Sequence, residues 1–383
     1  MNFLFFSFET YRQAFLDSSL GGRMWDNGTI YLYVGVIVLV MLFGLFAEKS
    51  HKSSKTFWFV VATSVLSAIL GLRGEDVGAD TWQYMDSFDH ALERNYWSDT
   101  TSEPGYHLLM QILRIVLPNS TVFLILTSTL TVFFVFNTLW RYRNSINLLI
   151  AFSFYVGLFF FQALNLLRIY LAAAFVLWNY HYLIDRKYGK FAMVVLLTSL
   201  IHYSTLVMLL PLGFIWIYQK TPKIALIAVV VLAMVVISLT SQFEDIIRIA
   251  RYTSYVENNE SSRNVGIMLL FDYLPPFFFV YYALRNKVKG QWTDLLVSLT
   301  VTGFFIRLIA YFISIAGRLG VHFMGLFVLV LPYFLTHMKQ HHQKQYGLTM
   351  VVLMVYLVIR MHLYFKGYLA TDGIMPYTFF GNE

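Results

Sequence analysis

The stretch TIYLYVGVIVLVMLFGLFA, residues 29–47, carries no charged side chain and is closed by Glu48 and Lys49. At about 1.5 Å of rise per residue, an unbroken helix of that length covers roughly the 30 Å hydrocarbon thickness of a bilayer. Runs of the same character recur at about 56–72, 121–139, 146–163, 167–184, 224–240, 266–284, 292–310, 319–337 and 346–364. The 383 residues are 58% hydrophobic and 13% charged, so nearly every residue belongs to such a run or to a short connector. The expectation is an all-α, polytopic membrane protein forming a single multi-pass domain over residues 1–383.

One stretch does not fit a simple count. Residues 191–218 lie between Lys190 and Lys220, which read as the same membrane side, yet they are too few for two spans of about 20 residues. Two short or broken helices meeting near His202 and Ser204 satisfy both facts, giving about twelve transmembrane helices with both termini outside. Broken membrane helices line cavities, because lipid cannot satisfy the backbone groups they free.

The cations are sorted by side. Lys49, Lys52, Lys55, Lys187, Lys190, Lys220, Lys223, Lys287, Lys289, Lys339 and Lys344, with Arg141, Arg143, Arg186 and Arg285, fall in one set of connectors, which the positive-inside rule makes cytoplasmic. At or near the opposite run ends stand Arg12, Arg23, Arg73, Arg94, Arg114, Arg168, Arg248, Arg251, Arg263, Arg307, Arg318 and Arg360, with Lys366 alone among them. Arginine's planar fork grips carboxylates and phosphates, so an arginine-rich face points to recognition of an anion. The net charge of +7 is largely topological and implies no nucleic acid. With no cysteine, disulfides, thiolate nucleophiles and cysteine metal sites are excluded.

Residues 1–28 lack the basic start and cleavage site of a signal peptide; Phe3, Leu4, Phe5, Phe6, Phe8, Tyr11 and Phe15 read as an interfacial segment lying on the membrane. His337, His341 and His342, set among Lys339, Gln340, Gln343 and Lys344, read as a solvated cytoplasmic loop and not a metal site. No cofactor is implied. Two connectors on the arginine side are long, about 73–120 and 241–265. Within the first, residues 104–117 read as an amphipathic surface helix, with His107, Gln111 and Arg114 on one face and Leu109, Ile112, Leu113 and Val116 opposite.

Counting helical rise from the lysine side places Arg168 about 25 Å up, Arg307 about 27 Å and Arg360 about 21 Å. Arg318 begins a descending helix at a similar level. Ionised side chains there are costly unless paired or hydrated. Snorkelling to headgroups explains any one of the four, but the four together suggest a site. Gln162, Asn165 and Arg168 follow i, i+3, i+6 spacing and predict a polar stripe. His202 sits about 18 Å up, near Arg168 in depth, where it can act as a general base or simply hydrogen-bond between helices.

The segment Arg73-Gly74-Glu75-Asp76-Val77-Gly78-Ala79-Asp80-Thr81-Trp82-Gln83-Tyr84 follows directly on an apolar run, with glycines that permit tight turns. It resembles the first outer loop of the EpsG family of bacterial exopolysaccharide polymerases, relatives of the Wzy O-antigen polymerases. Further agreement lies in Glu103-Pro104-Gly105-Tyr106, in Asn165-Leu166-Leu167-Arg168, in Ile201-His202-Tyr203-Ser204, and in Arg318 and Met375-Pro376-Tyr377. Ala79 and Ile169 depart from the family's usual threonine and glutamine, so neither is given a polar role. The resemblance covers nearly the whole chain.

It implies a glycosyltransferase of GT-C-like architecture that polymerises polyprenyl-diphosphate-linked oligosaccharide repeats into O-antigen, capsular or exopolysaccharide. The work would take place at the outer face of the bacterial cytoplasmic membrane, with the lipid bilayer as setting and a chain-length regulator as partner. On that reading Arg73, Arg168 and Arg318 bind diphosphate, with Arg307, Arg360 and Asn165 as further binding candidates. His202 is the first candidate for general base and Asp80 the second. Tyr84, Trp82, Tyr106 and Tyr377 stand as sugar-stacking or interfacial aromatics. An O-antigen ligase would use the same donor chemistry; a flippase would need polar groups through the whole membrane depth; an acyltransferase would place its histidine on the cytoplasmic half.

Overall fold

The computed structural model describes residues 8–18, 24–93, 103–238, 266–312 and 314–381. Among them the regular structure is helical, apart from one antiparallel bridge between Arg73 and Phe379. Phe3, Leu4, Phe5, Phe6, Arg23, Arg94 and the whole 241–265 connector, with Arg248, Arg251 and Arg263, lie outside the described residues.

In chain order the helices are α1 Phe8–Ser18, α2 Asn27–Lys49, α3 Lys52–Gly71, α4 Thr81–Asp89, α5 Pro104–Val116, α6 Ser120–Arg141, α7 Leu148–Tyr155 and α8 Leu167–Trp178. There follow α9 His181–Ile184, α10 Tyr188–Ser199, α11 Leu209–Tyr218, α12 Pro222–Ser238, α13 Gly266–Arg285, α14 Gln291–Phe312, α15 Leu331–His341 and α16 Gln343–Tyr368. Among the described residues six helical stretches are long and apolar enough to cross a membrane: Asn27–Lys49, Ser54–Gly71, Ser120–Arg141, Gln291–Ala310, Gly317–His341 and Gln343–Tyr368. The chain is a polytopic membrane protein.

Among the remaining apolar runs, those at 224–240 and 266–284 form the single helices α12 and α13, and three others are broken up. Residues 148–164 pass from α7 through a π turn, Val156–Phe160, into a 3-10 turn, Phe161–Leu164. The run at 167–184 divides into α8 and α9, and the run at 191–218 breaks at residues 200–202 before a 3-10 turn, Tyr203–Met208, leads into α11. His337 and His341 are helical, not looped; they sit one turn apart on α15 with ring centroids 4.2 Å apart.

The described chain divides into two compact units. The first holds the residues up to Trp178, Leu200–His202 and those from Leu335 onward; the second holds Asn179–Ser199 and Tyr203–Phe334. In the first unit α3 packs on α6, α2 on α3 and α7, and α6 on α8. Phe59, Phe136 and Phe152 meet edge to face between these helices, at centroid separations of 4.8 to 6.2 Å. Neutral side chains cap two of the helices: Asn119 accepts from Val122 N and Asn147 from Ile150 N, each at 3.0 Å. Helix α1 packs on α16, burying Phe15 and placing the Tyr11 hydroxyl 2.8 Å from His362 Nδ1. These two aromatics, expected on the membrane surface, are therefore covered by protein, because α16 offers them a larger apolar partner.

In the second unit α14 is central, packing on α11, α12, α13 and the 3-10 stretch Ser314–Phe323. Ser298 on α14 donates to Pro211 O at 2.8 Å, and Trp292 stacks on Tyr333 at 4.1 Å.

Residues 72–81 leave helical structure beside the end of α3 and are held by the chain's last segment. Gly74 N donates to Thr378 O, Gly78 N to Gly373 O, Ala79 N to Asp372 O and Phe380 N to Leu72 O, at 2.8 to 3.0 Å. Gly78 has φ of +97° and lies so close to Leu164 O that a Cβ would collide with it. Gly78→Ala should therefore cost about 1–3 kcal/mol of stability, read as a lower thermal midpoint of the purified protein in detergent. An unchanged midpoint would mean that the loop is free to reshape.

Candidate functional site

Helix α5 begins at Pro104, whose fixed φ suits a first helical position, and Glu103 occupies the cap before it with extended backbone. Gly105 N and Tyr106 N both donate to Leu200 O, at 2.8 and 3.1 Å, so the first turn of α5 docks on the break after α10. Gly105 is required there, because a Cβ would run into Leu200. That docking brings His202 to Glu103.

The Glu103 carboxylate is covered, with 7% side-chain exposure, and joins two partners. Oε2 accepts a 2.6 Å hydrogen bond from Arg168 Nη1, and Oε1 lies 3.7 Å from His202 Nδ1. The first is a short, charge-assisted contact; the second is an ion-pair distance that tightens if the imidazole is protonated. Arg168 Cζ lies 5.0 Å from the centre of the buried Tyr106 ring, which supports the guanidinium from one face. Burial raises the Tyr106 phenol above its ordinary range, so it stays neutral beneath that cation. Arg168 and His202 each keep 23% side-chain exposure. A buried carboxylate thus orients one arginine and one histidine that both reach the surface.

Arg168 and His202, expected at one depth, are brought together. Glu103 was missed as a site residue, although it stands in the Glu-Pro-Gly-Tyr stretch. Among eight carboxylates of an acidic connector, the one signal was its place directly before a helix-starting proline.

The Gln162, Asn165, Arg168 stripe is not a continuous helix face. The 3-10 turn ends at Leu164 and α8 starts at Leu167, so the three side chains serve separately. Gln162 Oε1 accepts from Tyr170 OH at 2.8 Å, Asn165 Oδ1 from Asp80 N at 3.0 Å, and Arg168 takes Glu103. Asn165 therefore ties the 73–81 loop to the start of α8, with Asp80 as the residue before α4.

Arg73 lies fully buried inside the loop. Its guanidinium donates to Leu70 O, to Val77 O at 3.2 Å, and at 3.4 Å to Thr81 Oγ1 and Ser128 Oγ. Burial pulls it down to about 10. A cation whose fork is wrapped around carbonyls at the end of α3 acts as a brace, which differs from the diphosphate role expected of it. Tyr377 is likewise structural in its contacts: its hydroxyl donates to Ile69 O at 2.8 Å and its N to Thr29 Oγ1 at 2.7 Å. Tyr84 packs against the cluster of Phe88, Tyr106 and Phe123, while Trp82 is 57% exposed.

The other arginines are placed elsewhere. Arg360 is half-buried on α16 in the first unit. In the second unit Arg307 Nη2 pairs with Asp272 Oδ2 at 2.9 Å, Asp272 being buried, and Arg318 is exposed on the 3-10 stretch. Also in that unit, Ser204 Oγ and His322 Nε2 are 2.7 Å apart.

If Tyr377 is a brace, Tyr377→Phe should lower stability by about 1 kcal/mol through the lost bond to Ile69 O, and leave substrate affinity unchanged. Thermal unfolding and a binding titration on the same preparation check both halves; weakened binding at unchanged stability would return Tyr377 to the site.

No curated protein and no solved structure matches the chain. The sequence pattern of the EpsG family matches residues 55–379, a span that holds the braced loop, Glu103, Arg168, His202 and the 372–379 segment. That is well over half of the 383 residues, and the chain belongs to the EpsG family.

Proposed function

We propose that the chain is a membrane glycosyltransferase that polymerises polyprenyl-diphosphate-linked oligosaccharide repeats, working at the outer face of the bacterial cytoplasmic membrane. Membership of the EpsG family supports a role in polysaccharide biosynthesis. The single observation that carries the chemistry is the Glu103 carboxylate shared by Arg168 and His202. On this reading the two units make one multi-pass domain of about twelve crossings with GT-C-like architecture, the shorter helices counted as crossings.

The reaction moves the reducing-end sugar of the growing chain from its diphosphate to a hydroxyl of the next repeat. The bond from the anomeric carbon to the diphosphate oxygen breaks, a new glycosidic bond forms, and the hydroxyl proton must go to a base. Arg168 offers a fork held in place before substrate arrives, which stabilises charge developing on the leaving diphosphate. His202, oriented by Glu103, accepts the hydroxyl proton through whichever ring nitrogen faces the acceptor. Asp80, the second candidate, is placed near the cluster's helix by Asn165 but has its backbone, not its carboxylate, in that contact. Arg307 and Arg318 in the second unit, and Arg360 in the first, stay candidate anion contacts of their own units.

Synthesis from purified lipid-linked repeats tests this. Arg168→Lys keeps the charge and loses the fork, and Glu103→Gln removes the orienting anion; each should lower kcat/KM by about a hundredfold. His202→Ala should abolish polymer formation above background. Wild-type rates in Arg168→Lys would end the diphosphate reading, and wild-type rates in His202→Ala would remove it as base. A product ligated once to a lipid acceptor, with no ladder of lengths, would favour the ligase.

A further inference from the structure

Helix α5 has apolar residues on two sides. Tyr106 and Met110 are buried in a core cluster with Phe88 and Phe123, and Leu113 packs against them. On the other side Leu108 is 55% exposed, Ile112 52%, Ile115 75% and Val116 75%. Their i, i+4, i+7 and i+8 spacing makes these four one continuous strip. The single apolar face expected from the sequence is thus divided, with Leu113 inward and Ile112 and Val116 outward.

The polar stripe is used by the protein. His107 is 4% exposed, Gln111 Nε2 donates to Ala91 O at 3.2 Å, and Arg114 Nη1 donates to Leu117 O at 3.3 Å and Pro118 O at 3.0 Å. A helix docked on a water-facing surface needs one apolar side and turns its polar side out. This one turns its polar stripe in and four large aliphatic side chains away, which is favourable only against an apolar medium.

The chain path says which medium. Three residues separate the end of α5 from Ser120, which opens α6, and Ser120–Arg141 is one of the stretches long and apolar enough to cross a membrane. Preceding α5 in the same connector, α4 packs on both α5 and α6 and carries the exposed Trp82, a residue type favoured at the membrane–water boundary. The strip is therefore continuous with the end of a membrane span.

We infer that α5 is a membrane-interface helix whose Leu108, Ile112, Ile115 and Val116 strip lies in the boundary between headgroups and acyl chains. Its partner is the lipid surface. Because Glu103 begins this helix, the same seating holds Glu103, Arg168 and His202 at the level of the lipid phosphates. The inference rests on exposure and connectivity and stands whether or not the polymerase reading does.

The absence of cysteine makes the test direct. The full-length protein with Ile115→Cys or Val116→Cys is labelled with a nitroxide in vesicles of phosphatidylethanolamine and phosphatidylglycerol. Collision rates with oxygen and with a water-soluble nickel chelate are then compared with those of Gln83→Cys, an exposed position on α4. Labels at 115 and 116 should favour oxygen, placing them about 5–10 Å below the phosphates. Nickel access equal to that at Gln83 would overturn the inference, since the strip would then face water. Shielding from both reagents would also overturn it, showing a second copy or another protein on the strip.

Discussion

Hydrocarbon offers no hydrogen bonds, so wherever this chain stops being helical the backbone groups it frees must be met by another part of the same chain. At the end of α3 the Arg73 fork takes the Leu70 and Val77 carbonyls and Tyr377 takes that of Ile69. At the break between α7 and α8, Asn165 accepts from Asp80 N, and at the break after α10, Leu200 O accepts two amides from α5. Tyr33, buried within α2, donates to Ile374 O in the last segment. Apart from the local bonds of Arg73, each repair joins segments far apart in sequence. The breaks are therefore stitched to one another, and Glu103, Arg168 and His202 stand at the junctions so created.

Two arginines of the first unit are held differently, Arg73 wrapped inside a loop and Arg168 beside a carboxylate. Both are costly in an apolar setting. Arg73 is compensated by carbonyls and hydroxyls all round, which fixes it and consumes its donors. Arg168 is compensated on one side by a single carboxylate and on one face by an aromatic ring, leaving part of the guanidinium at the surface. A lysine could meet the charge in either place but lacks the rigid planar fork that spreads arginine's donors. The sorting of the two cations by side, visible in the sequence, thus has two separate physical causes.

Much of the fold was legible because membrane helices write themselves as uninterrupted apolar runs, and the break near His202 was legible because 28 residues are too few for two full-length spans. Arg168 and His202, read from helical rise as lying within one or two turns of each other in depth, both reach the Glu103 carboxylate. What could not be read was the partner of each polar group. Glu103 looked like any carboxylate of an acidic connector, and only the docking of Gly105 on Leu200 distinguishes it. Arg73 sits in the most recognisable motif, yet the segment that buries it lies some 300 residues away. The Gln162, Asn165, Arg168 spacing promised one face because it assumed one helix; the 3-10 turn at Phe161–Leu164 removed that premise.

The clasp between residues 72–79 and 372–380 also sets an order of events. The loop's amides at Gly74, Gly78 and Ala79 have their acceptors in residues 372–378, which are synthesised after α1 to α16. Until then the residues that steady Asn165, and through it the start of α8, are incomplete. Disruption of residues 372–380 would therefore leave a chain whose helices can insert and still fail to set Arg168, a defect invisible to any assay of membrane integration.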